Sequence, residues 1–415
     1  MLSRLRTVVR RAWLILLDEG PRRLLGRSFA KLSSLLAGPS TGVLPTMLVA
    51  IDDAENVDWT DHPVWRRSPI VVTSERAEIA WIMSPPGAES GGHQNLFRFI
   101  KFAEDHGHRS RIYLYDQFGH SLADLRSMLA ASEAYPHLDA TIEDYRPDVG
   151  VDSATQALFA SGWETAYPAY RDPSRAKRLY FIQDFEPSFY PAGTEALLAE
   201  NTYRFGFHGI TAGGWLAQKL RDEYGMTTDH FDFSVDASLY NLSNTGRRSE
   251  IFFYARPVTT RRAFEFGVLS LAKFAERRPE IVINFAGWDV RGWDVPFAHR
   301  NLASLELSQL NAIYNRCAAG LVLSLTNMSL LPLELLACGT AAVVNDAPNN
   351  RMVSNNPFID YVAPSPGAIA DRLERILDAP DAIERSLARS QSVTGTNWTQ
   401  SGDQFVAAFE RAMRG

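Results

Sequence analysis

From Ala77 onward, short apolar runs alternate with amphipathic helical patterns, the signature of βαβ units and of a parallel sheet covered by helices on both faces. The runs at 78–84, 111–116, 178–184 and 208–212 form a first set of expected strands, with helices at 92–105, 121–132, 194–204 and 215–224. A second set, at 250–255, 281–287, 320–325 and 341–346, follows the polar stretch 241–248, which reads as a linker. The expected architecture is α/β, with two Rossmann-like domains facing across a cleft. Residues 1–70 form a basic leader and irregular segment, 71–245 and 246–390 the two domains, and 391–415 a closing helix that packs back on the first. Ligands of such sheets bind beyond the carboxyl ends of the strands, so the active site is expected in the cleft.

At 415 residues and 46% hydrophobic content, the chain exceeds what a single core covers, since cores stop growing at about 250–300 residues. With a net charge of −6, nothing in the composition favours a nucleic-acid partner over a small anionic ligand held by a few local arginines. Cys317 and Cys338 fall in apolar helical patterns with no metal or redox spacing, and are expected buried and reduced, as in the cytoplasm. The leader carries Arg4, Arg6, Arg10 and Arg11 among Trp13, Leu16 and Leu17. Its apolar stretch is far short of the roughly 20 residues that span a bilayer. It reads either as a peripheral helix on an anionic membrane surface or as a solvated or docked helix.

The chemistry is concentrated at strand ends. Residues 324–345 read as a loop, a helix, a tight turn and a buried strand; the helix start offers free N–H groups at Met328, Ser329 and Leu330 to phosphates, and Glu334 can accept from a ribose. Arg256 ends a strand, and Arg261 and Arg262 begin the next helix, where cations oppose the dipole and so suggest an anion nearby. Gly91 and Gly92 open another helix directly after a strand, allowing close backbone approach, although Gly-x-Gly-x-x-Gly occurs nowhere. Gln183, Asp184 and Glu186 cluster at the end of a strand with Tyr190 beyond them. These acids can bind sugar hydroxyls, take a proton from an acceptor, or simply cap the following turn; as a metal cage, alternate residues of one strand end are poor. His208 is either a satisfied core histidine or an acceptor contact.

The segment 324–345 resembles the donor site of the family 4 glycosyltransferases through Glu334, Ala337, Cys338, Gly339 and Val343-Val344, with Thr326 where the family has its first glutamate. Arg256 stands where that family has Gly-Arg, with Ala255 for the glycine and Arg261 or Arg262 for a following lysine. The strings GGHQNLFRFIKFAEDHGH, YFIQDFEPSFYP and FHGITAGGWLAQKL are similar to bacterial rhamnan-synthesis and surface-glycan rhamnosyltransferases of family 4. That resemblance implies a GT-B fold, a dTDP-rhamnose donor, no required metal or other cofactor, and transfer with retention to a polysaccharide or lipid-linked glycan.

The expected roles are catalysis for Asp184 and Gln183, and donor binding for Arg256, Arg261, Ser329, Leu330, Glu334, Gly91 and Gly92. Glu186, Tyr190 and His208 are expected to contact the acceptor. Rival readings are a nucleotide-sugar 2-epimerase and a non-catalytic glycan-binding module derived from a transferase.

Overall fold

A computed structural model describes residues 47–61, 63–67, 76–88, 90–354 and 356–414. The basic leader, and the membrane contact expected of it, lie outside those residues. No helix among the described residues is long and apolar enough to cross a membrane.

The first sheet contains β1 (Glu78–Met83), β2 (Arg109–Leu114), β3 (Thr141–Asp144), β4 (Ala157–Ala160), β5 (Lys177–Ile182), β6 (His208–Ala212) and β7 (Thr228–Phe231), in the order β3-β2-β1-β4-β5-β6-β7. The second contains β8 (Glu250–Tyr254), β9 (Val282–Ala286), β10 (Arg300–Asn301), β11 (Cys317–Val322), β12 (Ala341–Asn345) and β13 (Ile359–Val362), in the order β10-β9-β8-β11-β12-β13. The strands of both sheets pair in parallel. Strand order reverses between β1 and β4 in one sheet and between β8 and β11 in the other, and at such a reversal the crossovers leave a crevice at the carboxyl ends. Helices cover both faces, so β4 and β11 are buried at every residue and read in sequence as unbroken apolar runs.

The first core is aromatic. Trp81 stacks on Phe159 with ring centroids 4.1 Å apart, and Phe405 from the last helix, Trp398–Arg414, reaches Trp81, Phe159 and Phe181. Gly402 makes that approach possible, because a Cβ there would lie 2.5 Å from the Phe102 ring on helix Gly91–Asp105. The last helix therefore lies on the first sheet, although it follows the second in sequence.

All eight expected strands occur, with ends displaced by up to three residues. The strands β3, β4, β7, β10 and β13 were not expected: each is only two to four residues long, too short to show a period. Cys317 opens β11 instead of lying in a helix, and Cys338 caps helix Leu331–Ala337; both are buried free thiols. The polar stretch 241–248 is tightly pinned. Asn315 Oδ1 accepts from the Ser243 and Asn244 amides, and Arg248 donates to the carbonyl of Cys338 at 2.6 Å. The described part of 36–76, given no structure from sequence, contains helices Ile51–Asn56 and Val64–Arg67, anchored where Trp65 Nε1 donates to the Tyr170 carbonyl at 3.1 Å.

Candidate active site between the two sheets

The loops after β5 and β11 meet at one carboxylate. Asp184, only 8% exposed, follows β5. Its Oδ1 accepts from the Asn327 backbone N–H at 2.8 Å, and its Oδ2 accepts from Arg261 Nε and Thr326 Oγ1, each at 3.1 Å. Asn327 Nδ2 returns the contact by donating to the carbonyls of Gln183 and Ala212 at 2.9 and 2.8 Å. With both oxygens engaged by the facing loops, Asp184 acts here as a tie between the sheets, a structural role in place of the catalytic one expected of it. Gln183 is likewise a positioning group: its Nε2 donates to the Gly92 carbonyl at 2.9 Å and its Oε1 accepts from Asn95. Gly91 and Gly92 are exposed at the start of helix Gly91–Asp105, and a Cβ on Gly91 would meet nothing within 4 Å.

Three arginines line the other side. Arg256 leaves β8 half-buried, its Nη1 donating to the Gly287 carbonyl at 3.2 Å and its guanidinium 5.8 Å from the Trp288 ring. Arg261 and Arg262 do not begin a helix. They form a 3-10 turn, Thr260–Arg262, separated by the left-handed Ala263 (φ 47°) from helix Phe264–Arg277. Arg262 braces the loop after β11 by donating to Ser324 Oγ at 2.8 Å, and burial lowers its pKa. Arg261 stays at the lip, its side chain 26% exposed and stacked over Phe189 at 4.0 Å. Of the two, it is the one placed to reach a ligand.

The loop after β11 is fixed from behind by carboxamides. Asn345 Oδ1 accepts from the Ser324 amide, and the side chains of Asn345 and Asn350 donate to the Ser324 carbonyl. Two buried polar atoms of this loop, Asn327 Oδ1 and Ser329 Oγ, have no hydrogen-bond partner in the structure. A buried polar atom without a partner is costly, which marks Ser329 as a group suited to meet a ligand. Leu330 precedes helix Leu331–Ala337, and Glu334 lies one turn in. Glu334 accepts weakly from Tyr314 at 3.4 Å; burial pushes its pKa up to about 7, against the pull of Arg98.

Two expected acceptor contacts are corrected. Glu186 is 6% exposed, with its carboxylate bonded by Tyr180 Oη at 2.5 Å, and burial raises its pKa far above the carboxylate range, so it faces the interior. His208 begins β6, at the end of the sheet opposite the cleft, and shares a hydrogen bond of 2.9 Å with Asp229. Tyr190 is half-buried, and its hydroxyl accepts from Trp163 Nε1 at 3.0 Å. No group of three or more His, Cys, Asp or Glu among the described residues is arranged to hold a metal. Sequence reasoning missed Asn327 and the carboxamides behind it. The Thr326-Asn327 pair just after a buried apolar run was a strand-end signal that could have found Asn327.

Structural comparison shows what carries this geometry. The chain superposes on Anabaena Alr3699/HepE, solved in complex with UDP and glucose, with a TM-score of 0.63 at 13% identity, covering 81% of this chain and all of that one. The fold is GT-B. TarM, known from S. aureus, gives a TM-score of 0.63 at 7% identity over 82% of this chain and 99% of its own. A glycosyltransferase from Rickettsia africae gives 0.58 at 13% identity, covering 82% of this chain and all of its own. In sequence, residues 151–212 match the WsaF N-terminal domain and residues 249–374 the WsaF C-terminal domain. The O-antigen biosynthesis protein RfbC of Myxococcus xanthus is 32% identical over 351 residues, or 82% of this chain. This chain spans about a quarter of that relative, 27% of its length. In this GT-B chain the β1/β4 and β8/β11 crevices are the two halves of the cleft, and Asp184 joins the loops beside them.

Proposed function

We propose that this chain is a retaining glycosyltransferase that moves rhamnose from dTDP-rhamnose to a growing surface polysaccharide or lipid-linked glycan. It needs no metal, and it works at the cytoplasmic face of a membrane that its basic leader contacts. The observation that carries the reading is the cross-sheet tie at Asp184, which sets the Arg256, Arg261 and Ser329 side of the cleft against the Gly91-Gly92 helix. The paired WsaF domains and the O-antigen biosynthesis relative support transfer into a glycan. Support for rhamnose is the string at 182–191.

In this reading the second domain holds the nucleotide diphosphate. Arg256 and Arg261 take phosphate oxygens and stabilise the negative charge that grows as the sugar bond breaks, while the Ser329 hydroxyl gains the partner it lacks. Glu334 as a carboxylate accepts from the ribose hydroxyls. The leaving phosphate deprotonates the acceptor hydroxyl, so Asp184 need not act as a base. Closure of the cleft limits hydrolysis by excluding water.

Thermal shift against the diphosphates of thymidine, uridine and guanosine, with Arg256→Ala alongside, tests the donor site. Selective stabilisation by the thymidine compound, lost in the variant, is expected. Stabilisation is about 2.7 kcal/mol at a hundredfold excess of ligand over Kd. Turnover of dTDP-rhamnose without an acceptor would move the assignment to a 2-epimerase, and no binding of any nucleotide would move it to a non-catalytic module.

A further inference from the structure

Three polar side chains are buried where helix Leu331–Ala337 turns into β12, at the end of the second sheet opposite the cleft: Arg248, Ser386 and Arg389 are 7, 5 and 6% exposed. Arg248 brackets the turn, donating to the Cys338 carbonyl at 2.6 Å and to Thr340 Oγ1 at 2.9 Å, yet its buried Nε donates to nothing. Ser386, on helix Ala382–Gln391, closes the turn from the other side. Gly339 (φ 76°) lies so near that a Cβ there would run into Ser386 Oγ and sit 2.7 Å from the Ser386 carbonyl oxygen, and that hydroxyl has no partner either. Arg389 stands one helical turn beyond Ser386, on the same face. Its guanidinium has no hydrogen bond or ion pair with any described residue. The acids nearby are committed elsewhere: Asp360 pairs with Arg372 at 3.0 Å and Asp381 with Arg385 at 2.8 Å. Burial lowers the pKa of Arg389 against the pull of Asp360, and lowers that of Arg248 to about 10, with the Arg389 charge acting in the same direction. Two buried cations that repel each other, beside donors without acceptors, call for an anion.

We propose that Arg248, Ser386 and Arg389 form an oxyanion site at the Cys338-Gly339 turn, outside the cleft, that takes a phosphate group. Guanidinium N–H groups and a hydroxyl are the donors that phosphate oxygens accept from, and a dianion offsets both cations at once. The ligand is inorganic phosphate or the phosphate of a sugar monoester. Bound there, it braces the end of the helix that carries Glu334.

The test is calorimetry of inorganic phosphate, and separately of glucose 1-phosphate, against the full chain in Tris chloride at constant ionic strength. Arg256→Ala serves as the parent, so that phosphate contacts in the cleft are weakened, and Arg389→Met or Ser386→Ala is added to it. The parent is expected to bind phosphate, Arg389→Met to bind it about tenfold more weakly or worse, and Ser386→Ala severalfold more weakly. In thermal unfolding without phosphate, Arg389→Met is expected to melt no lower than the parent, because it removes a buried charge that lacks a counterion; with phosphate the parent melts higher. Binding of glucose 1-phosphate as well supports a sugar phosphate as the ligand, and binding of inorganic phosphate alone supports the free ion. No phosphate binding by the parent, or equal binding by Arg389→Met, overturns the proposal. If Arg389→Met does not fold, equal binding by Ser386→Ala overturns it.

Discussion

Asp184 at the end of β5 and Asn327 in the loop after β11 are joined through the Asn327 N–H at 2.8 Å, so a residue of one sheet holds the backbone of the other. The same carboxylate engages Arg261, which the proposed reaction also needs for phosphate. Tie and ligand therefore share one guanidinium.

Replacing Asp184 by Ala leaves the Asn327 amide and Thr326 hydroxyl without an acceptor. Urea denaturation is expected to show a loss of about 2 kcal/mol. Calorimetry is expected to show nucleoside diphosphate bound severalfold more tightly, because Arg261 is released. Weaker binding in this variant would mean that Asp184 aids the donor site instead of competing with it.

Arg256 and Arg262 should separate binding from stability. Arg256→Ala is expected to lower nucleotide affinity by about tenfold to a hundredfold with little change in melting temperature. Arg262→Ala, which removes the brace on Ser324, should lower the melting temperature first. Equal behaviour of the two variants would contradict their assignment to different tasks.

Glu334 predicts a pH dependence. Burial raises its folded pKa from 4.5 to about 7. A raised acid contributes stability that is full below its unfolded pKa and lost as pH rises through the folded value. Relative to Glu334→Gln, the wild type should therefore lose stability between pH 4.5 and about 7. Nucleotide affinity should rise over the same interval as the carboxylate forms to accept from ribose. A flat difference between the two proteins across that range would remove Glu334 from the donor site.

His208 lies at the far end of β6, and His208→Gln should leave sugar transfer within about twofold of wild type while costing at most about 1 kcal/mol of stability. A kinetic assay that found a large loss of turnover would place His208 in the chemistry after all.

Gly402→Ala puts a methyl 2.5 Å from the Phe102 ring. The expected cost is about 1–3 kcal/mol, read as a lower midpoint in thermal unfolding, since an overpacked helix contact must spread.

Much of this was legible from sequence wherever periodicity is long. The runs beginning at Glu78 and Glu250 and the helix after Ser90 announce themselves by unbroken apolar stretches and a 3.6-residue pattern. Arg256, Ser329 and Glu334 could be named as candidates because strand ends and helix starts have fixed chemical tendencies. The partners of Asp184 were not legible, since Arg261, Thr326 and Asn327 lie 77, 142 and 143 residues away and meet it only through tertiary packing. Glu186 and His208 failed for a related reason: sequence places a residue on a strand, but not the direction in which its side chain points.

The chain leaves the first sheet through 234–240 and returns at 397–401, and the two crossings touch: Ser234 Oγ bonds to the Asn397 carbonyl at 2.9 Å and to Ser401 Oγ at 2.6 Å. The second domain thus hangs from the first like a gate on a pair of adjacent pins. Two joined crossings constrain sideways displacement more than one would. Adjacent pins keep the Arg261 lip in register with the Asp184 strand end.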